Sequence, residues 1–144
     1  MTSLAPTLIG KLMVVSFAAY EGFSAGILLG PERWARSAAT RIYKLDLSGD
    51  LDPKYLFVNR MLGLHCGQLA LACILSLWLG GTAITVALLA LAGISAGRAL
   101  VRWTFRDLLF RAFKVAPERS YRKALFNLAL VVVIVLLSFR VTLG

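Results

Sequence analysis

The chain has 144 residues, 59% of them hydrophobic, with a mean hydropathy of +0.78. Soluble domains are roughly 45–50% apolar, so this composition excludes an ordinary soluble fold. The net charge of +9 invites a nucleic-acid reading, but the basic residues flank apolar runs and no nucleic-acid-binding module accompanies them.

Four apolar runs, about 10–30, 61–79, 83–101 and 124–141, each approach the ~20 residues that cross a hydrocarbon core. Within the first, "AAYEGFSAGILLG" carries Glu21 and Ser24, with Gly22, Gly26 and Gly30 at every fourth position. No basic residue precedes Lys11, and Glu21 interrupts the apolar stretch. Both features favour a retained span over a cleaved signal peptide. A carboxylate in hydrocarbon needs a partner or a proton.

"GPERWARSAATRIYKL" follows. Pro31 suits the first helical position, and Glu32 the positive end of the helix dipole. Trp34, Ala38, Ile42 and Leu45 share one face, while Arg33, Arg36, Thr40 and Lys44 take another. A short helix lying among head groups fits both faces; a helix packed on the bundle fits them equally. "DLSGDLDP" resembles the start of a calcium loop, but an EF-hand needs Gly at its sixth position and Glu at its twelfth. Here Gly49 is fourth and Phe57 twelfth, so no metal is expected. Asp52 instead caps the next helix, with Pro53 at its first position.

The second run, "RMLGLHCGQLALACILSLW", places His65, Gln68, Ala72 and Ser76 on one face and Gly63 and Gly67 on the other. Cys66 and Cys73 are about 10 Å apart along a helix, too far for a disulfide, and read as small packing residues. After a tight "GGT" turn the third run carries Gly93, Gly97 and Arg98. The sequence "RALVRWTFRDLLFR" then aligns Arg98, Arg102 and Arg106 and extends an apolar stripe beyond the bilayer. Pro117 and Glu118 restart a helix whose fourth run contains Asn127. "PERWAR" and "PERSYR" follow the first and third runs, a match as short as chance allows and equally compatible with two duplicated hairpins.

The intervening loops after runs one and three hold nearly all the cations. By the positive-inside rule both face the cytoplasm or a matrix, which makes the chain N-out and C-out. Arg33, Arg36, Arg41, Lys44, Arg102 and Arg106 are then placed to contact anionic lipid head groups. Glu21, Ser24, His65, Gln68, Arg98 and Asn127 all fall in the basic half of the spans, Glu21 roughly 13 Å from its end at 1.5 Å per residue. They are expected to form a polar network or a ligand pocket, with Arg98 the first partner for Glu21 and His65 the second. The G-x-x-x-G pairs Gly22/Gly26/Gly30, Gly63/Gly67 and Gly93/Gly97 are expected to let helices approach closely.

The stretches "RMLGLHCGQLALACILSLW" and "AITVALLALAGISAGRALVRW", with a preceding span ending in "GP", resemble the DoxX-like families of small four-helix membrane proteins. That resemblance covers about residues 10 to 103 and implies a fold more than an activity.

The expected fold is therefore an all-α integral membrane protein. It is a four-transmembrane-helix bundle with a short interfacial helix after the first span and a cytoplasmic extension of the third. The expected site is a bacterial cytoplasmic membrane, with an organellar inner membrane the alternative. No HExxH, P-loop or GxSxG motif occurs, the chain has one histidine, and no cofactor or catalytic residue is assigned. An accessory or scaffolding subunit, joined to other membrane subunits or to copies of itself, is the leading functional expectation. The alternative is a lipid-, quinone- or solute-binding protein or transporter using a Glu21–His65–Arg98 pocket.

Overall fold

The computed structural model describes residues 4–41 and 52–143. Lys44, Ile42, Leu45 and most of the calcium-loop-like segment (Asp46, Ser48, Gly49 and Asp50) lie outside the described residues. Six helices appear in the order α1 (Leu4–Leu29), α2 (Glu32–Arg41), α3 (Pro53–Leu79), α4 (Thr82–Thr104), α5 (Arg106–Phe113) and α6 (Pro117–Leu143), with no strand among the described residues. Four of them are long and apolar enough to cross a membrane: Thr7–Leu29, Pro53–Leu79, Thr82–Thr104 and Pro117–Arg140. The chain is a helical membrane bundle, and its outer surface agrees. Leu8, Phe23, Leu71, Trp78, Val86, Val132 and Phe139 all stand exposed, as side chains bathed by lipid tails do.

Local signals account for the helix boundaries. Asp52 precedes α3 and its Oδ1 accepts from the Lys54 amide at 2.7 Å, while Pro53 occupies the first turn. Asp52 thus satisfies a terminal amide that the helix itself leaves open. Between α3 and α4 the chain reverses in two residues, Gly80 (φ 65°, ψ −166°) and Gly81 (φ 52°, ψ −129°). A side chain is strained in those regions, which makes glycine the fitting residue at both.

Two helix pairs form the bundle. α1 packs along α3 and α4 along α6, and the pairs meet through a thinner seam. Away from the basic end, Val14, Phe17, Ala18, Cys73, Ile84, Leu88, Leu91, Ala92 and Ile134 fill that seam as a core. Lipid tails are as apolar as these side chains, so close packing rather than water exclusion holds them together. At the opposite end the C-termini of α1 and α4 lie beside the N-termini of α3 and α6. Trp103 there meets Tyr121 edge to face at 5.0 Å, and Arg106 lies 5.5 Å over the same Tyr121 ring.

Arg60 binds α1 to α3 at this end. Its Nη1 donates to the carbonyls of Leu28, at 3.0 Å, and of Gly30. These are terminal carbonyls without helical partners, at the negative end of the α1 dipole. Arg60→Ala is expected to lower stability by about 1.5–3 kcal/mol, the usual range for hydrogen bonds to a charged group. Thermal unfolding in mild detergent reads this out. Arg60→Lys recovers only part, because an ammonium lacks the planar fork. A wild-type melting curve for Arg60→Ala would show that the contact carries no stability.

Two expectations change. The extension of the third span is a separate helix: α4 stops at Thr104, Phe105 turns the chain (φ −103°, ψ 22°), and α5 runs to a left-handed Lys114 (φ 55°). No glycine or proline marks that break, so periodicity alone reads through it. On α2, the buried residues are Ala35, Ala38 and Ala39, while Trp34 is half-exposed. A Cβ on Gly30 would lie 2.5 Å from Trp34 Cε3, so the indole folds back onto the end of α1. Small alanines then form the inner face.

Candidate functional site

Each helix of the bundle brings one helical stripe to a cavity of about 590 Å³ at the basic end of the seam. From α1 come Ser16, Tyr20, Ser24 and Leu28 at four-residue spacing, flanked by Phe17 and Glu21. Leu62 and Cys66 come from α3, Arg98 and Arg102 from α4, and Lys123, Phe126, Asn127 and Leu130 from α6. Residues four apart on a helix share a face, which is why these sets face one space. Leu62 and Phe126 are largely exposed, so the cavity has an apolar rim on the outer surface of the bundle. Its volume falls in the roughly 300–1,000 Å³ range of small-molecule sites.

Glu21 forms its inner wall. The side chain is fully buried, and Oε1 accepts from Arg98 Nη2 across 77 residues of chain. The Arg98 guanidinium also lies 5.7 Å from the centre of the Tyr20 ring, a cation–π distance. Glu21 Oε2 is buried and has no hydrogen-bond partner among the described residues. Ser24 Oγ donates to the Tyr20 carbonyl at 2.9 Å, and Asn127 Nδ2 to the Lys123 carbonyl at 2.8 Å. Both polar groups are therefore tied to their own helices at the cavity wall.

Of the six residues expected to converge, Glu21, Ser24, Arg98 and Asn127 do so, while His65 and Gln68 do not. Both stand exposed on the outer surface of α3. His65 Nδ1 lies 2.7 Å from the Met61 carbonyl of its own helix. The buried residues of α3 are instead the small side chains Gly63, Cys66, Ala70, Cys73 and Ser76. The helices approach too closely for larger side chains: a Cβ on Gly63 would lie 2.9 Å from Leu28 Cβ. Small size, not polarity, selects the inner face here.

The other glycines divide. A Cβ on Gly22 or Gly67 would meet the facing helix at ordinary contact distance, 3.9 Å from Ala70 Cβ and 3.7 Å from Ala25 Cβ. One on Gly26, Gly93 or Gly97 would meet nothing within 4 Å. Close approach between helices thus rests on Gly63, and Gly93 and Gly97 are exposed on α4.

Reading from the sequence missed Arg102 and Lys123 as cavity residues. Arg102 lies one turn beyond Arg98, and Lys123 one turn before Asn127, so the four-residue spacing carries both. Of the other cations expected at lipid head groups, Arg33 and Arg41 are exposed, and Arg36 pairs with Glu32 at 3.0 Å. Arg106 contacts Trp103, Tyr121 and Asp107. Among the described residues no cluster of three or more His, Cys, Asp or Glu side chains is placed to hold a metal ion. No protein-family model, curated protein or solved structure matches this chain.

Proposed function

We propose that this protein binds an amphiphilic small molecule inside the membrane, with its polar group in the Glu21–Arg98 cavity and its apolar part toward Phe126 and Leu62. The cavity carries the reading: the ion pair of the fully buried Glu21 with Arg98 stands in a space lined by both polar and apolar side chains, whose rim at Leu62 and Phe126 is exposed and apolar. Intramembrane ionisable groups mark binding or transport paths by default. We place both basic segments in the cytoplasm of a bacterium, with both termini outside, from the charge bias of the loops. Kinship with the DoxX-like families would account for the fold and rests on the two quoted stretches.

A cavity-filling change tests the binding role apart from the fold. Ser24→Phe places a ring in the space while leaving the ion pair and the helix contacts in place. Wild-type protein released from mild detergent into a native mass spectrometer is expected to retain about one amphiphile per chain, and Ser24→Phe none, at similar melting temperatures. Equal retention by the two would remove the cavity from the account.

Association with further membrane helices is a second reading, which His65 and Gln68 favour. Both are polar, both belong to a span, and both face outward, where a partner's polar group would relieve the cost of lipid contact. A partner subunit or a second copy on that side would make the protein a scaffold as well. A strictly monomeric sedimentation profile, unchanged by Gln68→Leu, would argue against it.

A further inference from the structure

We propose that α5 is a membrane-surface helix, lying in the head-group plane at the basic end of the bundle. Phe105, Leu108 and Ala112 turn toward the acyl chains, and Asp107, Arg111 and Lys114 toward water and lipid phosphate. This inference is independent of the cavity. It starts from two unlike faces on α5, neither of which the bundle covers. Phe105, Leu108, Leu109 and Ala112 recur at i, i+3, i+4 and i+7 and share one side of the helix. Asp107 and Arg111, one turn apart, take the other side, with Lys114 at the helix end. These three are exposed, as a solvated face should be. Phe105, Leu108 and Ala112 are exposed as well, and of the apolar four only Leu109 is half-buried. Phe110, beside that face, is also exposed.

The place of α5 in the chain says what covers its apolar side. The membrane-crossing α4 ends at Thr104, and α5 begins at Arg106. Trp103 meets Tyr121 of α6 edge to face at that level, and Trp and Tyr are enriched where a span passes through the head groups. Phe105 turns the chain there, and α6 starts back toward the membrane at Pro117, three residues after α5 ends. So α5 leaves and rejoins the bundle beside the head groups. Its 8 residues make a rod of about 12 Å, which fits along the bilayer surface.

The hydrophobic effect drives an exposed apolar face out of water, and the nearest apolar phase is the acyl region around α4. Helices of this kind sink their apolar side about 5–10 Å into that boundary. On the polar side, two cations beside one carboxylate complement an anionic leaflet. A protein groove would cover the apolar face equally well, and the experiment separates the two.

The full chain is placed in nanodiscs of phosphatidylcholine and phosphatidylglycerol as Leu108→Cys or as Arg111→Cys. Each variant is then titrated with a polar, membrane-impermeant maleimide. Cys66 and Cys73 are free and buried, so wild type supplies the background rate. Each rate is divided by that of the same variant unfolded, which removes the effect of neighbouring charges. The thiolate is the reacting form and apolar surroundings suppress it, so Leu108→Cys is expected to react about tenfold more slowly than Arg111→Cys. Phe105→Cys against Lys114→Cys repeats the comparison, so the result does not depend on one variant folding. Equal, fast labelling of both faces would put α5 in water and overturn the inference. Equal, slow labelling of both would mean that protein encloses the helix, which overturns it too.

Discussion

Arg98→Ala is expected to destabilise the bundle by about 3 kcal/mol, and the double change Glu21→Gln with Arg98→Gln to recover most of that loss. Removing one member of a buried ion pair costs roughly 3–5 kcal/mol, because the remaining charge stays buried without its partner. Glu21 is fully buried, but the Arg98 side chain is 37% exposed, which screens the pair and puts the cost at the lower end. Replacing both charges by amides removes the desolvation cost along with the attraction, so the double variant returns toward wild type. Unfolding of wild type, Arg98→Ala and the double variant in a graded denaturing detergent gives the comparison. Arg98→Ala as stable as wild type would mean that the pair does not hold α1 to α4.

Gly63→Ala is expected to cost about 1–3 kcal/mol, the range for overpacking a tight contact, whereas Gly97→Ala is expected to be neutral or to stabilise by up to about 1 kcal/mol through helix propensity. The two glycines differ only in surroundings. A Cβ at Gly63 would lie 2.9 Å from Leu28 Cβ, 3.0 Å from Leu29 Cγ and 3.3 Å from the Leu28 carbonyl carbon. Leu28 and Leu29 sit at the end of α1, where Arg60 fixes the Leu28 carbonyl. The neighbours therefore have little room to yield, and α1 must shift from α3. At Gly97 nothing lies within 4 Å. Equal melting temperatures for the two variants would refute this division of roles.

Much of the architecture was legible in the residues, for definite reasons. Four long apolar runs require four spans, Gly80 and Gly81 require a reversal that few other residues allow, and Asp52 with Pro53 is a helix start by chemistry alone. The meeting of Glu21 with Arg98 followed from depth, since both lie in the same half of their spans. Which way α3 faces was not legible. A helix surrounded by lipid is apolar nearly all round, so hydrophobic periodicity has little to distinguish inside from outside. Polarity then pointed His65 and Gln68 inward, while the residues of α3 that are buried are the small ones Gly63, Cys66, Ala70, Cys73 and Ser76. The break at Phe105 was hidden because Thr104 and Phe105 carry no stop signal. Arg102 reads as a head-group residue because it sits near a span end, and Lys123 reads only as one of the cations between the third and fourth runs. Only the packing of α4 on α6 turns them toward the cavity they share with Arg98.

Scaffolding and binding place their demands on different surfaces. Binding needs the seam between the helix pairs, and scaffolding needs the outer faces of α3 and α4. An amphiphile with a photoreactive diazirine in its acyl chain separates them directly, since ultraviolet light fixes the chain wherever it rests and peptide mapping locates the adduct. The cavity account predicts adducts concentrated at Phe17, Leu28, Phe126 and Leu130 and lost in Ser24→Phe. Labelling spread evenly over outward residues such as Trp78, Val86 and Phe139, and unchanged by Ser24→Phe, would contradict it.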